Sequence, residues 1–498
     1  MKKLIILTII SLLPHITQGA SLKQIQPGFA KNIILFIPNG NSTSFMDITR
    51  TIYDNNPLAL DSFTVGNFKE NTSFDFSLLA TGEKNKSNSS TPSATILEGA
   101  KNIKKSIGIV TPATTENSEL AVFTSHIDNP QNYNAIIEQR LHQNFDILMG
   151  GELSYFDKNK NLLENLKNEG YSLIYNLDSL KKFNEKKLVA LFSPLDMSPN
   201  LDRNRYQEPS LDQMTAKAIE LLSKNKDGFF LIVEGSPADS NDLLIDPVTQ
   251  ISEFNTFDKA VGEALEFAKK DKNTLIVVAP SNFSNEMNLE ENKSKDFIKI
   301  VKNAKNTERK VARMILKNPQ FTKAIVKDNL GIVLSENDVK KIKSTKNLNE
   351  IQNFLGNYII KSAQFNQSKK VDKNSTKKFY TYFSDSAQIL TEPIQASDLN
   401  TYLSKALNLN LKEISKKLFV SGKTFKERGL NLRIDDIDRS QTEFTVTIPK
   451  DRSRREYVFF QNRNYFEVNG VKHRFNGIVV YNDGEVFFPE EALNMIKK

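Results

Sequence analysis

The sequence predicts a doubly wound α/β fold, a mostly parallel sheet with helices on both faces, followed by a small β-rich C-terminal domain. Three observations predict it. Apolar runs without alternation, such as Ile33-Ile34-Leu35-Phe36-Ile37, recur between residues 31 and 284, as strands covered on both faces require. Amphipathic helical patterns separate those runs, the order that builds a parallel sheet. Near the C-terminus the pattern changes to short strands around the turn dipeptides Asn469-Gly470 and Asp483-Gly484.

Taken in order, the first twenty residues, MKKLIILTIISLLPHITQGA, pair two lysines with an apolar run and end on Gly19-Ala20. They read as a signal peptide, so an exported protein is expected, periplasmic or secreted. The strand Ile33–Ile37 stops at Pro38, Asn39-Gly40-Asn41 turns the chain, and a helical pattern resumes through Met46, Ile48 and Ile52. Turns at such strand ends are where open α/β sheets bind ligands. FDILMGG (145–151) and KLVALFS (187–193) read as strands. Ser210 and Gln213 form a capping box that opens a helix with Leu211, Met214, Ala218, Leu221 and Leu222 on one face. GFFLIVEG (228–235) is a buried strand, Phe257, Val261, Ala264, Leu265 and Ala268 mark the next helix, and TLIVVAP (274–280) the next strand.

From about residue 285 to 371 Lys, Asn and Glu dominate, and the pattern reads as a helical insertion; FYTYF (379–383) then returns to a strand. The α/β domain is expected over 31–407 and the C-terminal domain over 410–498, ending in a short helix around Leu493.

The chain has 498 residues and no cysteine, which excludes disulfides and thiolate-bound zinc. The net charge of +8 is spread along the chain, so it gives little support to nucleic-acid binding. No stretch after the first twenty residues is long and apolar enough to span a bilayer, so the processed chain is not expected to cross a membrane.

Several segments, in shared order and spacing, resemble the alkaline phosphatase family: ILFIPNGN at the first strand and its turn, NSSTPSATILEGAK (88–101), SIGIVTPATTENSELAVFTSH (106–126), DILMGGELSYF (146–156) and GFFLIVEGSPAD (228–239). The resemblance covers roughly residues 31–407. It implies a serine nucleophile, two zinc ions, a magnesium ion and an arginine that clamps phosphate. Carried over by position, the nucleophile is Ser89, preceded by Asn88 where the family has aspartate. The metal-bridging aspartate falls on Asn39. The Thr-His-Ala-Thr loop becomes Glu116-Asn117-Ser118-Glu119, and the clamping arginine becomes Pro130. Glu234 matches the magnesium glutamate and Asp239 a zinc aspartate. The zinc histidine after Asp239 falls on Leu243, the Asp-His pair on Ser281-Asn282, and the last zinc histidine near Ser375.

The histidine count agrees with that loss. The four are His15, His126, His142 and His473, and His126 matches a family histidine that binds no zinc. Catalytic zinc needs about three protein ligands, usually with imidazole among them, so no zinc is expected. One magnesium or calcium ion is a separate expectation, held by Asn39, Glu119 and Glu234 if their oxygens lie within about 5 Å of one another. Ser89 is expected near the end of the first strand, facing Asn39 and Glu234.

Three readings of function stand side by side. The chain is a pseudoenzyme that keeps the fold for binding. Or it is a divergent phosphatase in which Asp242, Asp246 or Glu253 replaces lost ligands. Or it is an envelope scaffold acting through its β-rich tail, which loosely resembles the small N-terminal domain of some copper amine oxidases. The partner expected is an envelope ligand or protein rather than nucleic acid, and the resemblance leaves a homodimer open.

Overall fold

The computed structural model describes residues 20–38, 44–53, 56–69, 76–83, 92–114, 120–127, 129, 131–143, 145–158, 160–235, 246–279, 294–362, 378–438, 441–449, 451 and 455–496. The first strand, β1 (Asn32–Ile37), is buried along its whole length. It sits near the middle of a nine-stranded sheet with β2 (Thr64–Asn67), β3 (Ser106–Thr111), β4 (Ile147–Gly150), β5 (Ser172–Ile174), β6 (Leu188–Leu191), β7 (Phe229–Glu234), β8 (Thr274–Val278) and β9 (Lys378–Tyr382). The order is β2-β9-β8-β1-β7-β3-β4-β6-β5. Every pair from β8 across to β5 is parallel, and β9 runs antiparallel to both of its neighbours.

The absence of alternation in the strand sequences has its cause in this double cover. Ile34 and Phe36 pack on one face with helix residues such as Leu211, Met214, Phe257 and Val261. Ile33, Leu35 and Ile37 pack on the other with Ile96, Leu97, Phe123 and Leu399. Each such side chain contributes roughly 1.5–3 kcal/mol when buried, so both faces of β1 must be apolar.

Local signals set the helix ends. Thr95 and Glu98 form a capping box at the helix Ile96–Asn102, and Ser210 with Gln213 does the same for Leu211–Leu222. The helix marked by Phe257 begins ten residues earlier than its apolar face suggests, at Pro247, and runs 25 residues to Asp271. Proline at the first position fits because that N–H has no partner in a helix anyway. Among the described residues, five α-helices, from Lys295–Asn303 to Leu348–Ser362, lie between β8 and β9 and pack against the Pro247 helix through Phe297, Val311, Ile315 and Ile351.

The C-terminal module has two sheets. β11 (Asn431–Asp438), β12 (Gln441–Thr447), β13 (Tyr457–Phe460), β14 (Tyr465–Val468) and β15 (Val471–Arg474) form an antiparallel meander; β10 (Val420–Ser421) pairs with β17 (Glu485–Phe488), which pairs with β16 (Val480–Asn482). Asn469 and Gly470 have φ of 52° and 76°, and Asp483 and Gly484 48° and 76°, the left-handed pairs that tight hairpins require. Phe444, Phe459, Phe466 and Phe488 fill the core, and the helix Glu490–Ile496 closes it. β11 is not among the strands expected from the sequence; its long pairing with β12 makes it a strand.

The module is docked on the α/β sheet unit. Leu418, Phe419, Ile478, Val480 and Phe487 enclose Ala94. Gln139 Nε2 donates to Asn462 Oδ1 at 2.8 Å, and Ala94 N donates to Ser415 Oγ at 2.8 Å. Among the described residues no helix is long and apolar enough to cross a membrane.

Candidate functional site

The parallel strands bring their C-terminal ends to one edge. The register sets Ile37 of β1 beside Glu234 of β7, and Val233 of β7 beside Val110 of β3, so Thr111 and Glu234 end their strands as neighbours. Glu234 is completely buried. Thr111 Oγ1 donates to Glu234 Oε2 at 2.5 Å and accepts from Ala113 N at 3.1 Å. One hydroxyl thus holds the carboxylate and starts the turn that leaves β3.

The next strand fixes the floor. Gly150 of β4 lies opposite Thr111, and a Cβ there would stand 2.0 Å from Thr111 O. A Cβ on Gly151 would stand 2.0 Å from Leu195 O. Only glycine lets these backbones approach so closely. Glu152 follows, and its Oε2 is 3.9 Å from the guanidinium of Arg140. Arg140 lies on the helix Tyr133–His142, which Asn132 caps by accepting from Ala135 N at 3.3 Å. Arg140 Nε donates to Thr124 Oγ1 at 3.3 Å. Burial pushes the guanidinium below its ordinary pKa, and the carboxylates of Glu152 and Glu234 act against that push. The Arg140 side chain is only 2 % exposed.

Of the residues that sequence reasoning assigns to the site, Glu234 is described. Asn39, Asn88, Ser89, Asn117, Glu119, Pro130, Asp239, Asp242, Leu243, Ser281, Asn282 and Ser375 lie outside the described residues, and so does the expected meeting of Ser89 with Asn39 and Glu234. The segments that carry Asn39, Glu119, Asp239 and Ser281 leave the sheet from the C-terminal ends of β1, β3, β7 and β8. The segment of Ser89 runs between Glu83 and Pro92. Ser93 Oγ donates to Glu83 Oε2 at 2.9 Å, which ties its two flanks together.

Glu253 and Asp246, the two described carboxylates proposed as substitute ligands, are both buried. Glu253 Oε1 accepts from Asn200 N at 2.6 Å. Asp246 is the buried residue just before the Pro247 helix. Sequence reasoning missed Thr111, Arg140 and Glu152. Thr111 carries a weak signal, as a hydroxyl ending an apolar strand before Pro112. Arg140 carries none, because a charged residue in a helical pattern reads as solvent-exposed.

The described histidines are engaged in packing. His126 Nε2 is 2.9 Å from Glu98 Oε1, His142 is buried against the C-terminal module, and His473 stacks on Phe466 at 5.1 Å. This donor set does not fit a two-zinc centre, which needs several imidazoles converging on one edge. Among the described residues no three His, Asp or Glu side chains are grouped to hold a metal ion.

Comparison with known proteins adds the following. Residues 81–380, more than half of the chain, match the family model described as "Alkaline phosphatase". Alkaline phosphatase 3 of Bacillus subtilis is 28 % identical over 417 residues, spanning 77 % of this chain and 90 % of that protein. The cold-active alkaline phosphatase of a psychrophilic Shewanella species superposes with a TM-score of 0.64 at 20 % identity, over 75 % of this chain and 99 % of its own. A variant of the TAB5 alkaline phosphatase, solved with magnesium bound, superposes with a TM-score of 0.52 at 20 % identity, over 78 % of this chain and 99 % of its own.

Proposed function

The chain belongs to the alkaline phosphatase family, and from that premise we propose that it is an exported protein that has given up metal-dependent phosphomonoester hydrolysis and serves in binding within the cell envelope. One observation carries this reading. Each described histidine is committed to packing, and the family positions for zinc histidines hold Leu243, Asn282 and Ser375 instead. Without zinc, the hydroxyl of Ser89 keeps a pKa far above physiological pH and is a weak nucleophile. With proline at position 130, the transferred phosphate also lacks its guanidinium clamp. Export is supported by the signal-like first twenty residues.

A second reading has its own support. The relatives are named alkaline phosphatases, and Ser89 and Asp239 remain at family positions. A divergent phosphatase would then use Ser89 with a rearranged metal site, and a magnesium or calcium ion would sit among Asn39, Glu119 and Glu234. The magnesium in the TAB5 structure favours this form of the reading. Against it, the buried Glu234 carboxylate already accepts from Thr111.

The experiment is a phosphatase assay on the purified chain with p-nitrophenyl phosphate, with added zinc and magnesium, beside Ser89→Ala and a total metal analysis. Turnover no higher than that of Ser89→Ala is expected, with no stoichiometric zinc. Turnover at ordinary enzyme rates that disappears in Ser89→Ala would establish the second reading. A pull-down from envelope extract, with and without the C-terminal module, tests where a partner binds.

A further inference from the structure

We propose that the helical insertion is a docking surface for an anionic lipid bilayer, on which exposed lysines meet phosphate headgroups while Phe321, Val333 and Leu316 reach the acyl boundary. Such docking would supply the envelope ligand of the reading above, and only its place in the envelope rests on that reading. The contact itself does not depend on Ser89, and lipid binding is measured apart from any phosphatase assay.

Charge is unevenly placed along the chain. Between residues 294 and 362 fifteen Lys and Arg stand against six Asp and Glu, an excess of nine, whereas the excess over the whole chain is eight. The surplus is therefore not spread along the chain, as composition alone suggests, but collected in the insertion, and the remainder is close to neutral. Glu308, one of the six acids, is buried, which leaves the surface of the insertion more basic still.

Folding sorts these residues by side. Val311 and Ile315 of the helix Glu308–Lys317, Val326 and Leu330 of Thr322–Leu330, and Val339 and Ile342 of Glu336–Lys343 are buried in the cluster shared with the Pro247 helix. Lys317, Lys327, Lys340, Lys341, Lys343 and Lys346 are left exposed, and none of them forms an ion pair among the described residues. Lys323 pairs with Glu336 at 2.5 Å, which ties the first turns of the last two of these helices together. Phe321 and Val333 stand just before those turns, 58 % and 72 % exposed, and Leu316, 36 % exposed, lies on the helix before them.

The apolar side chains separate a bilayer from other polyanions. A soluble polyanion offers phosphates but nothing against which Phe321 or Val333 can be buried. A bilayer offers anionic headgroups with acyl chains just beneath, and attachment strengthens with both charge and buried apolar area. Lysine suits the charged part, because its apolar stem lies along the headgroup layer while the ammonium reaches phosphate.

The test is sedimentation of the purified chain with vesicles of equimolar phosphatidylglycerol and phosphatidylcholine, and with vesicles of phosphatidylcholine alone, at low and high salt. Binding is expected with the phosphatidylglycerol vesicles only, and it should fall steeply with salt, because screening shortens the reach of surface charge. Lys340→Gln/Lys341→Gln/Lys343→Gln is expected to weaken it by roughly tenfold or more. Lys412→Gln/Lys417→Gln/Lys426→Gln removes as many exposed charges outside the insertion and should bind like wild type. Phe321→Ser/Val333→Ser should weaken binding several-fold at every salt concentration. All three variants change exposed side chains, so their unfolding midpoints should match wild type. No sedimentation with phosphatidylglycerol vesicles overturns the proposal. Equal losses in the two lysine variants overturn it as well, since net charge alone would then be the cause. Wild-type binding by Phe321→Ser/Val333→Ser would mean that phosphate alone is recognised, and would overturn the choice of a bilayer.

Discussion

His126 Nε2 lies 2.9 Å from Glu98 Oε1, with both side chains almost sealed from water. The same carboxylate accepts from Thr95 N through Oε2 at 2.8 Å, so Glu98 both caps the helix Ile96–Asn102 and holds the imidazole. Phe419 meets the ring edge-on at 4.8 Å, and Asn482 Nδ2 donates to His126 O at 3.1 Å. His126 thus joins the helix that follows the Ser89 segment to the C-terminal module.

Loss of this joint should weaken the whole molecule. His126→Ala removes the partner of a buried carboxylate and leaves a cavity beside Phe419. A loss of about 2–4 kcal/mol is expected in denaturant unfolding. His473→Ala, on the half-exposed strand β15, should cost far less. Equal effects of the two substitutions would show that the His126 joint has no special weight.

A second histidine makes stability fall in acid. Burial, with help from Arg463 and Arg474, pushes His142 down from its ordinary 6.5 to about 3. The unfolded chain takes up this proton as pH falls through 6.5, while the folded chain resists until about 3. The contribution is therefore complete above pH 6.5 and is lost progressively towards pH 3, by up to a few kcal/mol. His142→Gln should flatten the decline in that window. An unaltered slope would place the acid sensitivity elsewhere.

Glu308 works in the opposite direction. Its buried carboxylate accepts from Val248 N at 2.8 Å and from Thr249 Oγ1 at 3.2 Å, tying the helical insertion to the start of the Pro247 helix. Burial pushes it up from 4.5 to about 7. The folded chain keeps this proton longer than the unfolded one, so the contribution is complete below pH 4.5 and is lost as pH rises through 7. In Glu308→Gln, the fall in the unfolding midpoint between pH 5 and pH 8 should be smaller. A steeper fall would mean that the ionised carboxylate is the better cap.

Much of the fold could be read from the chain because its causes are local. The unbroken apolar run at β1, the capping boxes at Thr95 and Ser210, and the two hairpin dipeptides each act within a few residues. The strand β11 could not, since its partner rather than its composition makes it a strand. At the strand ends, Glu234 stands out by its family motif, but its bond with Thr111 and the pairing of Arg140 with Glu152 have no such signal. Each pair joins separate stretches of the chain, and Thr111 meets Glu234 only when β3 and β7 align.

The sequence by itself determined the doubly wound architecture and the family, because hydrophobic period and residue identity are properties of the chain. Only the tertiary structure decided that Arg140 is sealed beside Glu152 and that His126 is locked between a helix cap and the C-terminal module. Whether a charged side chain faces water or a buried partner depends on what packs over it, and at both places the covering groups come from distant parts of the sequence.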